Sequence, residues 1–487
     1  LLIDGESASG KTELLKRVVE YFVNMKCSEP PPSSENQSWG ASVPHREDIP
    51  LELTACPLGS SAMPFVSRRG TSSSCFLLEA NVLLEAFGHA KTLANRNSSR
   101  VGKYVKLYVH PSDGKLCGGS IMPLMFESTR VTHFAERTER NFHVFYQLLR
   151  GVTQDEAHAL SLRAKLKDLK YLRCAKPDLE DMDDGVEMQR TIKALHAFGF
   201  TPTEVFEVKR LLAAILNMGE LRFTGVQATL SNATLSADRV STVENLLGLE
   251  PSTLPHVLLY CTLSVSGHVK FSPRTADEAI CVVEVLARSL YHRLFNHVVR
   301  CINRCIVRSA GSRYVEALAN VQGRDASAIE PRFVGLVDIF GFEGTAKNGI
   351  QSFFVNYASE KLHALFVKST FNDEVSLYQT EGLAKEEYPD VHFQDNTEII
   401  DILEHQAHGM LPMLEEASNW ERSNDATFLA KMLVTYQTSK LFERGTKQRE
   451  HTSFVVHHSA AHVMYEVDGF VSRNRERVAA DVLSVLG

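Results

Sequence analysis

The feature that most restricts this chain lies at its start, in Gly5-Glu6-Ser7-Ala8-Ser9-Gly10-Lys11-Thr12. The stretch fits G-x-x-x-x-G-K-[ST], a loop whose backbone N–H groups cradle phosphates while the lysine reaches the outer phosphates and the hydroxyl ligates Mg²⁺. Such a loop needs a strand before it and a helix after it. Both are expected here: Leu1-Leu2-Ile3 reads as the end of an apolar strand, and Glu13 to Phe22 places its apolar residues at helical spacing. Three residues are few for a strand of a parallel sheet, and Leu1 is not an initiator methionine, so the chain reads as the interior of a longer protein.

The second constraint comes late. Arg332 to Glu343 is an apolar run carrying Asp338, followed by Gly341 and a second acid, Glu343. A buried strand that delivers a carboxylate at its C-terminal end is where an α/β nucleotide site keeps the partner of its Mg²⁺. Between the two lies a polar loop, Ala90 to Lys103, with adjacent serines at 98 and 99 and an arginine at 100. Taken alone, that loop is an ordinary solvated turn.

The rest of the chain fills in around these stretches. Residues from about Asn24 to Ser74 are rich in Ser and Pro, which cannot bury enough apolar surface to order themselves, so a long mobile surface loop is expected. A helix is expected from Phe76 to His89, a strand at Tyr104–Val109, short strands with turns from Gly114 to Arg130, and a buried helix at Arg140–Leu149. Helices then dominate to about residue 310, including Glu204–Leu216, Ser241–Leu247 and Asp277–Ile306, and residues 309 to 331 read as a loop. The 487 residues suffice for a large core, and the net charge of −7 argues against a nucleic-acid binder, which needs a clustered basic excess. The nine cysteines show neither a C-x-x-C pair nor metal-ligand spacing, and Cys301 and Cys305, one turn apart in an apolar run, are expected in packing and in a reducing compartment. The apolar stretches are too short or too interrupted for a transmembrane segment, and no secretory signal is visible.

Three separated motifs in a fixed order are far more specific than one. GESASGKTE resembles the P-loop of the myosin motor head, NRNSSR its first switch and DIFGFE its second; LLEAFGHAKT, ERNFHVFYQLL, NYASEKL and FVVHHSAAHVMYEVDGF resemble further segments of that family. The resemblance covers nearly the whole chain outside residues 24 to 74. It implies an α/β fold of P-loop NTPase type, with a central, mostly parallel sheet and large helical insertions. It further implies a partial motor domain over 1–487: P-loop strand and helix (1–23), flexible loop (24–75), first switch and upper helical region (76–332), then second switch, relay helix and lower actin-binding region (333–487).

The same resemblance implies the residue roles. Gly5, Glu6, Ser7, Ala8, Ser9, Gly10, Lys11, Thr12 and Asn95 would bind ATP, with Lys11 on the outer phosphates. Thr12 and Ser99 would ligate Mg²⁺, and Asp338 would reach it through water. Ser98 would help position the attacking water, the Gly341 N–H would sense the γ-phosphate, and Arg100 and Glu343 would pair across the two switches. Asn356 to Leu362 would begin the relay helix. Filamentous actin would meet a helix–loop–helix spanning Gly409 to Thr438, through Met413, Trp420 and Arg422. Light chains or calmodulin would bind only through regions outside this chain, and the implied location is the cytoplasmic actin cytoskeleton.

The chain departs from the family at Ala8, in place of a glycine, at His458-Ser459-Ala460-Ala461, which lacks an aromatic and a glycine, and in the charged relay loop Ala384–Tyr388. The favoured reading is an actin-activated Mg-ATPase motor. The alternative is a catalytically weak relative that tethers or scaffolds on actin and uses nucleotide as a structural switch. A kinase or GTPase would explain the P-loop but not NRNSSR and DIFGFE together.

Overall fold

The computed structural model describes residues 2–3, 9–24, 73–93, 95–110, 116–133, 138–162, 169–174, 177–179, 182–225, 228–230, 234–265, 268–322, 332–383, 385, 388, 393, 395–420, 422–446, 449 and 451–474. The expectations for Gly5, Glu6, Ser7 and Ala8, for residues 25–72, and for Ala384, Glu386 and Glu387 lie outside the described residues. In order, the first half contains β1 (Leu2–Ile3), α1 (Lys11–Asn24), α2 (Ser73–Gly88), β2 (His89–Ala90), β3 (Ser98–Ser99), β4 (Gly102–Val109), β5 (Leu116–Leu124), α3 (His143–Gly151), α4 (Gln154–Ala159), α5 (Asp184–Ala197), α6 (Pro202–Met218), β6 (Phe223–Thr224), β7 (Thr229–Leu230) and α7 (Thr234–Leu247). Then come α8 (Thr253–Leu259), β8 (Tyr260–Val265), β9 (His268–Pro273), α9 (Ala276–Gln322), β10 (Phe333–Asp338), α10 (Ile350–Val367), α11 (Asp373–Thr380), α12 (Thr397–Glu404), α13 (Met410–Asn419), α14 (Asp425–Thr435), β11 (Phe442–Arg444), β12 (Ser453–His457), β13 (His462–Glu466) and α15 (Phe470–Asn474).

The central sheet runs β1-β10-β4-β5. Its strands β1 and β10 are parallel, with Ile3 opposite Asp338, whereas β4 is antiparallel to β10 and to β5. The expected mostly parallel sheet is therefore a mixed one among the described residues. For β4 and β5 the reason is local, since the link between them is too short for the crossover that a parallel pair requires. On the outer side of β5, the Asn303 side chain of α9 accepts from the Ile121 N–H and donates to the Ile121 carbonyl, both at 2.8 Å.

Several helices start where their sequences provide a cap. Thr201 and Glu204 exchange hydrogen bonds in a capping box ahead of α6, with Pro202 in its first turn, and Thr153 and Glu156 do the same for α4. The helix α9 corrects the loop expected at 309 to 331 as far as Gln322, since it continues through Ser309 and Gly311, and residues 323–331 lie outside the described residues. Gly and Ser lower helix propensity by less than about 1 kcal/mol each, and no proline stops the run. The helix expected to begin at Asn356 likewise starts earlier, at Ile350. Past Val367 the backbone runs as a π-helix over Lys368–Asn372 before α11.

Two apolar cores result. The first gathers the sheet with α1–α3, α5, α6 and α9, and includes Phe87, Phe145, Tyr291 and Phe295. The second gathers α10 and α12–α15 against β11–β13, around Phe353, Phe454, Tyr465 and Phe470. Within the second, Glu360 of α10 is nearly inaccessible and is held by Asn396 Nδ2 (2.6 Å), His458 Nδ1 (3.2 Å), and the N–H (2.8 Å) and hydroxyl (2.7 Å) of Ser459. The serine at the position where the family pattern has an aromatic thus serves as a ligand for a buried carboxylate.

Burial by itself raises the Glu360 pKa, but the hydrogen bonds from His458, Asn396 and Ser459 outweigh it and bring the value to about 2 from the usual 4.5. A carboxylate depressed in the folded state stabilises the fold fully above about pH 4.5 and loses that contribution as the pH falls toward 2, here about 3 kcal/mol in all. Urea midpoints should therefore fall below pH 4.5 more steeply for the native chain than for Glu360→Gln, which should also be less stable near neutrality. Identical pH profiles would remove Glu360 from the account.

Candidate functional site

Three connections meet at one end of the central sheet because of its strand directions. The parallel strands β1 and β10 both end there, and β4, antiparallel to β10, begins there with Lys103 opposite Asp338. The segment leading into α1, residues Asp338 to Glu343, and the Ser98–Val101 segment ahead of β4 are thereby brought together. Gly10 has φ +85, a backbone region that L side chains rarely adopt, and it turns the chain into α1.

Between these connections lies a cavity of about 180 Å³ lined by Ser9, Gly10, Lys11, Thr12, Asn95, Ser98, Ser99 and Gly341. The Thr12 hydroxyl donates to Asp338 Oδ2 at 2.8 Å, and Ser99 Oγ donates to the Val101 carbonyl at 2.8 Å. Both hydroxyl protons are thus turned away from any cation, which leaves oxygen lone pairs to face it. Two hydroxyls and a carboxylate are hard donors of the kind Mg²⁺ accepts. Among the described residues no trio of His, Cys, Asp or Glu side chains forms a metal site, so a cation near Asp338 would complete its shell with phosphate and water oxygens. Lys103 Nζ is buried 3.6 Å from Asp338 Oδ2 and makes no hydrogen bond; burial pushes its pKa down, against the pull of Asp338.

Asn95 shapes the loop ahead of β3. Its carbonyl accepts from the Thr92 N–H (2.8 Å) and its side-chain oxygen from the Asn97 N–H (2.9 Å). Asn97 Oδ1 in turn lies 3.1 Å from both His89 Nδ1 and His143 Nε2. Burial and the Lys103 charge lower the His89 pKa to about 4, and burial with Arg140 takes His143 well below its usual value. Both rings are therefore neutral at neutral pH, and each can donate to that one oxygen.

Arg100 is buried and donates through Nη1 to Glu343 Oε1 at 2.7 Å, so the two residues expected to pair do meet. It does not pair with Glu343 alone. Its Nε donates to Glu127 Oε2 at 2.5 Å, the same oxygen accepts from Arg130 Nε at 2.9 Å, and Arg130 Nη1 reaches Glu139 at 3.3 Å. Burial disfavours the Arg100 charge, but Glu127 and Glu343 reverse that and raise its pKa. On Glu127, Arg100 and Arg130 likewise overcome burial and lower the pKa. A second cavity of about 270 Å³, lined by Arg100, Glu127, Arg130 and Glu343 among others, shares no lining residue with the first.

Glu343 also ties the site to the second core. Its Oε2 accepts from the Ser352 hydroxyl, and its backbone N–H and carbonyl both bond the Asn356 side chain, all at 2.8 Å. Asn356 Nδ2 reaches the Tyr465 hydroxyl at 2.7 Å, and that hydroxyl lies 2.8 Å from His458 Nε2. Sequence reasoning missed Glu127, Asn97, His89 and Tyr465. The one available signal was Glu127 and Arg130 at i, i+3, a spacing too common to single out.

The expected partner-facing element is formed by α13 and α14. Trp420, at the end of α13, is 65% exposed, and Arg422 is exposed beside it. Met413 does not join them, which corrects the expectation: it is 4% exposed and packs in the second core. On a helix whose other apolar residues Met410 and Leu414 face inward, position 413 shares their side.

Comparison with known proteins adds an independent line. A family model for the myosin head (motor domain) matches residues 1–487. Similar proteins include unconventional myosin-Ic of Rattus norvegicus, 31% identical over 98% of this chain and 41% of its own length. Myosin-VIIa of Drosophila melanogaster is 29% identical over 100% of this chain and 20% of its own length, and myosin-2A of Naumovozyma castellii is 29% identical over 100% and 28%. The chain thus spans about two fifths or less of these relatives.

Glu127 alters what a charge exchange at the switch pair should do. Arg100→Glu with Glu343→Arg would still set a glutamate against Glu127, so the double exchange should recover only part of the stability lost in Arg100→Glu, which faces two glutamates. Adding Glu127→Gln should recover roughly 2 kcal/mol or more, because one buried like-charge contact is removed. Urea unfolding of the three variants decides it; full recovery in the double exchange would mean that Glu127 does not act on Arg100.

Proposed function

The chain belongs to the myosin head family, and from that premise we propose that it is the central part of an actin-activated Mg-ATPase motor, working in the cytoplasmic actin cytoskeleton. The observation that carries this reading is the 2.7 Å contact between Arg100 and Glu343 beside the cavity of about 180 Å³ that Lys11, Thr12 and Ser99 line. Lys11 and the first N–H groups of α1 would hold the phosphates, as helix N-termini favour anions. Gly5, Glu6, Ser7 and Ala8 would complete the cradle, and Asn95 would add a contact. Thr12, Ser99 and, through water, Asp338 would hold magnesium, which when bound neutralises charge on the phosphates. Ser98 would hold the attacking water, and the Gly341 N–H would recognise the γ-phosphate.

The Arg100–Glu343 pair forms only when Ser98–Arg100 and Gly341–Glu343 both close on the cavity, so it would exclude bulk water at the moment of hydrolysis. Through Asn356 and Tyr465 the same glutamate is joined to α10 and to the β12–β13 hairpin. That continuity supports a motor, in which phosphate state must be felt away from the site. Among the described residues no helix is long and apolar enough to cross a membrane. Trp420 and Arg422 would meet filamentous actin, and light chains would attach only outside this segment.

Steady-state phosphate release by the full-length head, with and without filamentous actin, tests the proposal. Actin should raise the rate at least tenfold, and Glu343→Ala should lower single-turnover hydrolysis by two or more orders of magnitude while nucleotide still binds. Trp420→Ala should weaken actin co-sedimentation severalfold with basal turnover unchanged. Nucleotide binding with no turnover would instead favour the scaffold that uses nucleotide as a switch.

A further inference from the structure

The helix α9 carries an uncompensated basic stripe. From residue 285 to residue 315 the sequence contains six arginines and no aspartate or glutamate, in a chain whose net charge is −7. Arg293, His297, Arg300, Arg304 and Arg308 are all exposed. At 100° per residue they fall within a sector of roughly 80°, along roughly 22 Å of helix. The opposite side carries Phe295, Val298, Val299, Ile302 and Ile306, which are buried in the first core.

A helix face that merely meets solvent usually alternates charge, because opposite charges at i, i+4 stabilise a helix and like charges there destabilise it by a few tenths of a kcal/mol per pair. Arg300, Arg304 and Arg308 are two successive like-charge pairs of that kind. Among the described residues none of Arg293, Arg300, Arg304 and Arg308 has a carboxylate within 4.0 Å. Their field is felt locally: burial and then Arg300 and Arg304 lower the His297 pKa, against Glu204 alone.

We propose that this stripe docks an acidic helical segment of a partner protein, with carboxylates at i, i+4 meeting the guanidinium groups of Arg300, Arg304 and Arg308. Two features favour a peptide over an anionic membrane. All the stripe's fixed charges are arginine, whose planar fork pairs carboxylates in bidentate fashion, and repeat along the pitch of a partner helix. Among the described side chains the stripe has no exposed Phe, Tyr or Trp to enter a lipid interface, and the large apolar neighbour on its exposed side is Val307 at 39% exposure. It is also separate from the Trp420 element, which packs in the other core.

The test uses the full-length head and a fluorescent 21-residue helical peptide with glutamates at i, i+4, its glutamine counterpart, and vesicles containing phosphatidylserine. The acidic peptide should bind at least tenfold more tightly than the glutamine peptide and lose at least tenfold between about 0.1 and 0.4 M salt. Arg300→Gln/Arg304→Gln/Arg308→Gln should lose at least tenfold in affinity while melting at the same temperature or higher, since like-charge repulsion is relieved. The same three positions changed to lysine should lose severalfold, and Arg222→Gln, an exposed arginine elsewhere, should lose nothing. The proposal is overturned if both peptides bind alike, if Arg222→Gln loses as much as the triple variant, if vesicles depend on the stripe more than the peptide does, or if the triple variant no longer co-sediments with actin.

Discussion

The structure depends most on one register. Ile3, Asp338 and Lys103 lie side by side across three strands, and the antiparallel turn of β4 against β10 puts the start of one strand next to the ends of two others. The loops that line the cavity leave or enter the sheet at that row. The register also explains why Asp338 can be buried at all: a carboxylate without partners in such a place would be neutralised, whereas here a hydroxyl donates to it and an ammonium lies 3.6 Å away. Lys103 is the costly member, held without a hydrogen bond.

Behind the register stands a run of alternating charges, Glu343, Arg100, Glu127, Arg130 and Glu139. Buried ion pairs often cost nearly as much in desolvation as they return, so such a run is weak evidence for stability in itself. Its geometry is more informative. Arg100 is fixed from one side by Glu127, on the connection after β5, and contacts Glu343 on the other, so Glu343 is the member whose partner is already in place. The backbone of that residue is bonded to Asn356, and Asn356 to Tyr465, which carries the constraint into the second core through four named groups.

What could be read in the sequence was what is local. Gly10-Lys11-Thr12, the serines at 98 and 99, and the strand ending at Asp338 carry their chemistry in consecutive residues, and they meet around one cavity. The mixed sheet was not legible, because a buried strand such as β10 shows the same apolar pattern whether its neighbour is parallel, as β1 is, or antiparallel, as β4 is. Glu127 escaped notice since its partner is 27 positions away and its own surroundings, Phe-Glu-Ser, read as a turn. The burial of Met413 follows from which side of α13 faces Leu403 and Phe428, a tertiary fact. The length of α9 was underestimated because Gly311 and its serine neighbours were weighed by propensity, which costs less than about 1 kcal/mol each against a long helix.

The π-helical turn at Lys368–Asn372 has a mechanical meaning. Such a turn holds one residue more than an α turn, so it stores a spare peptide unit between α10 and α11. Returning it to α geometry would shift everything beyond Asn372 by one residue position, which at 3.6 residues per turn is a rotation of about 100° about the helix axis. No side chain of that segment is fully buried, and the packing that the change would have to move is the Phe371 ring stacked on Phe393 at 5.3 Å. A displacement of Asn356 too small to unseat Phe353 could thus emerge past residue 372 as a swivel of α11, and with it a different face presented by Leu377.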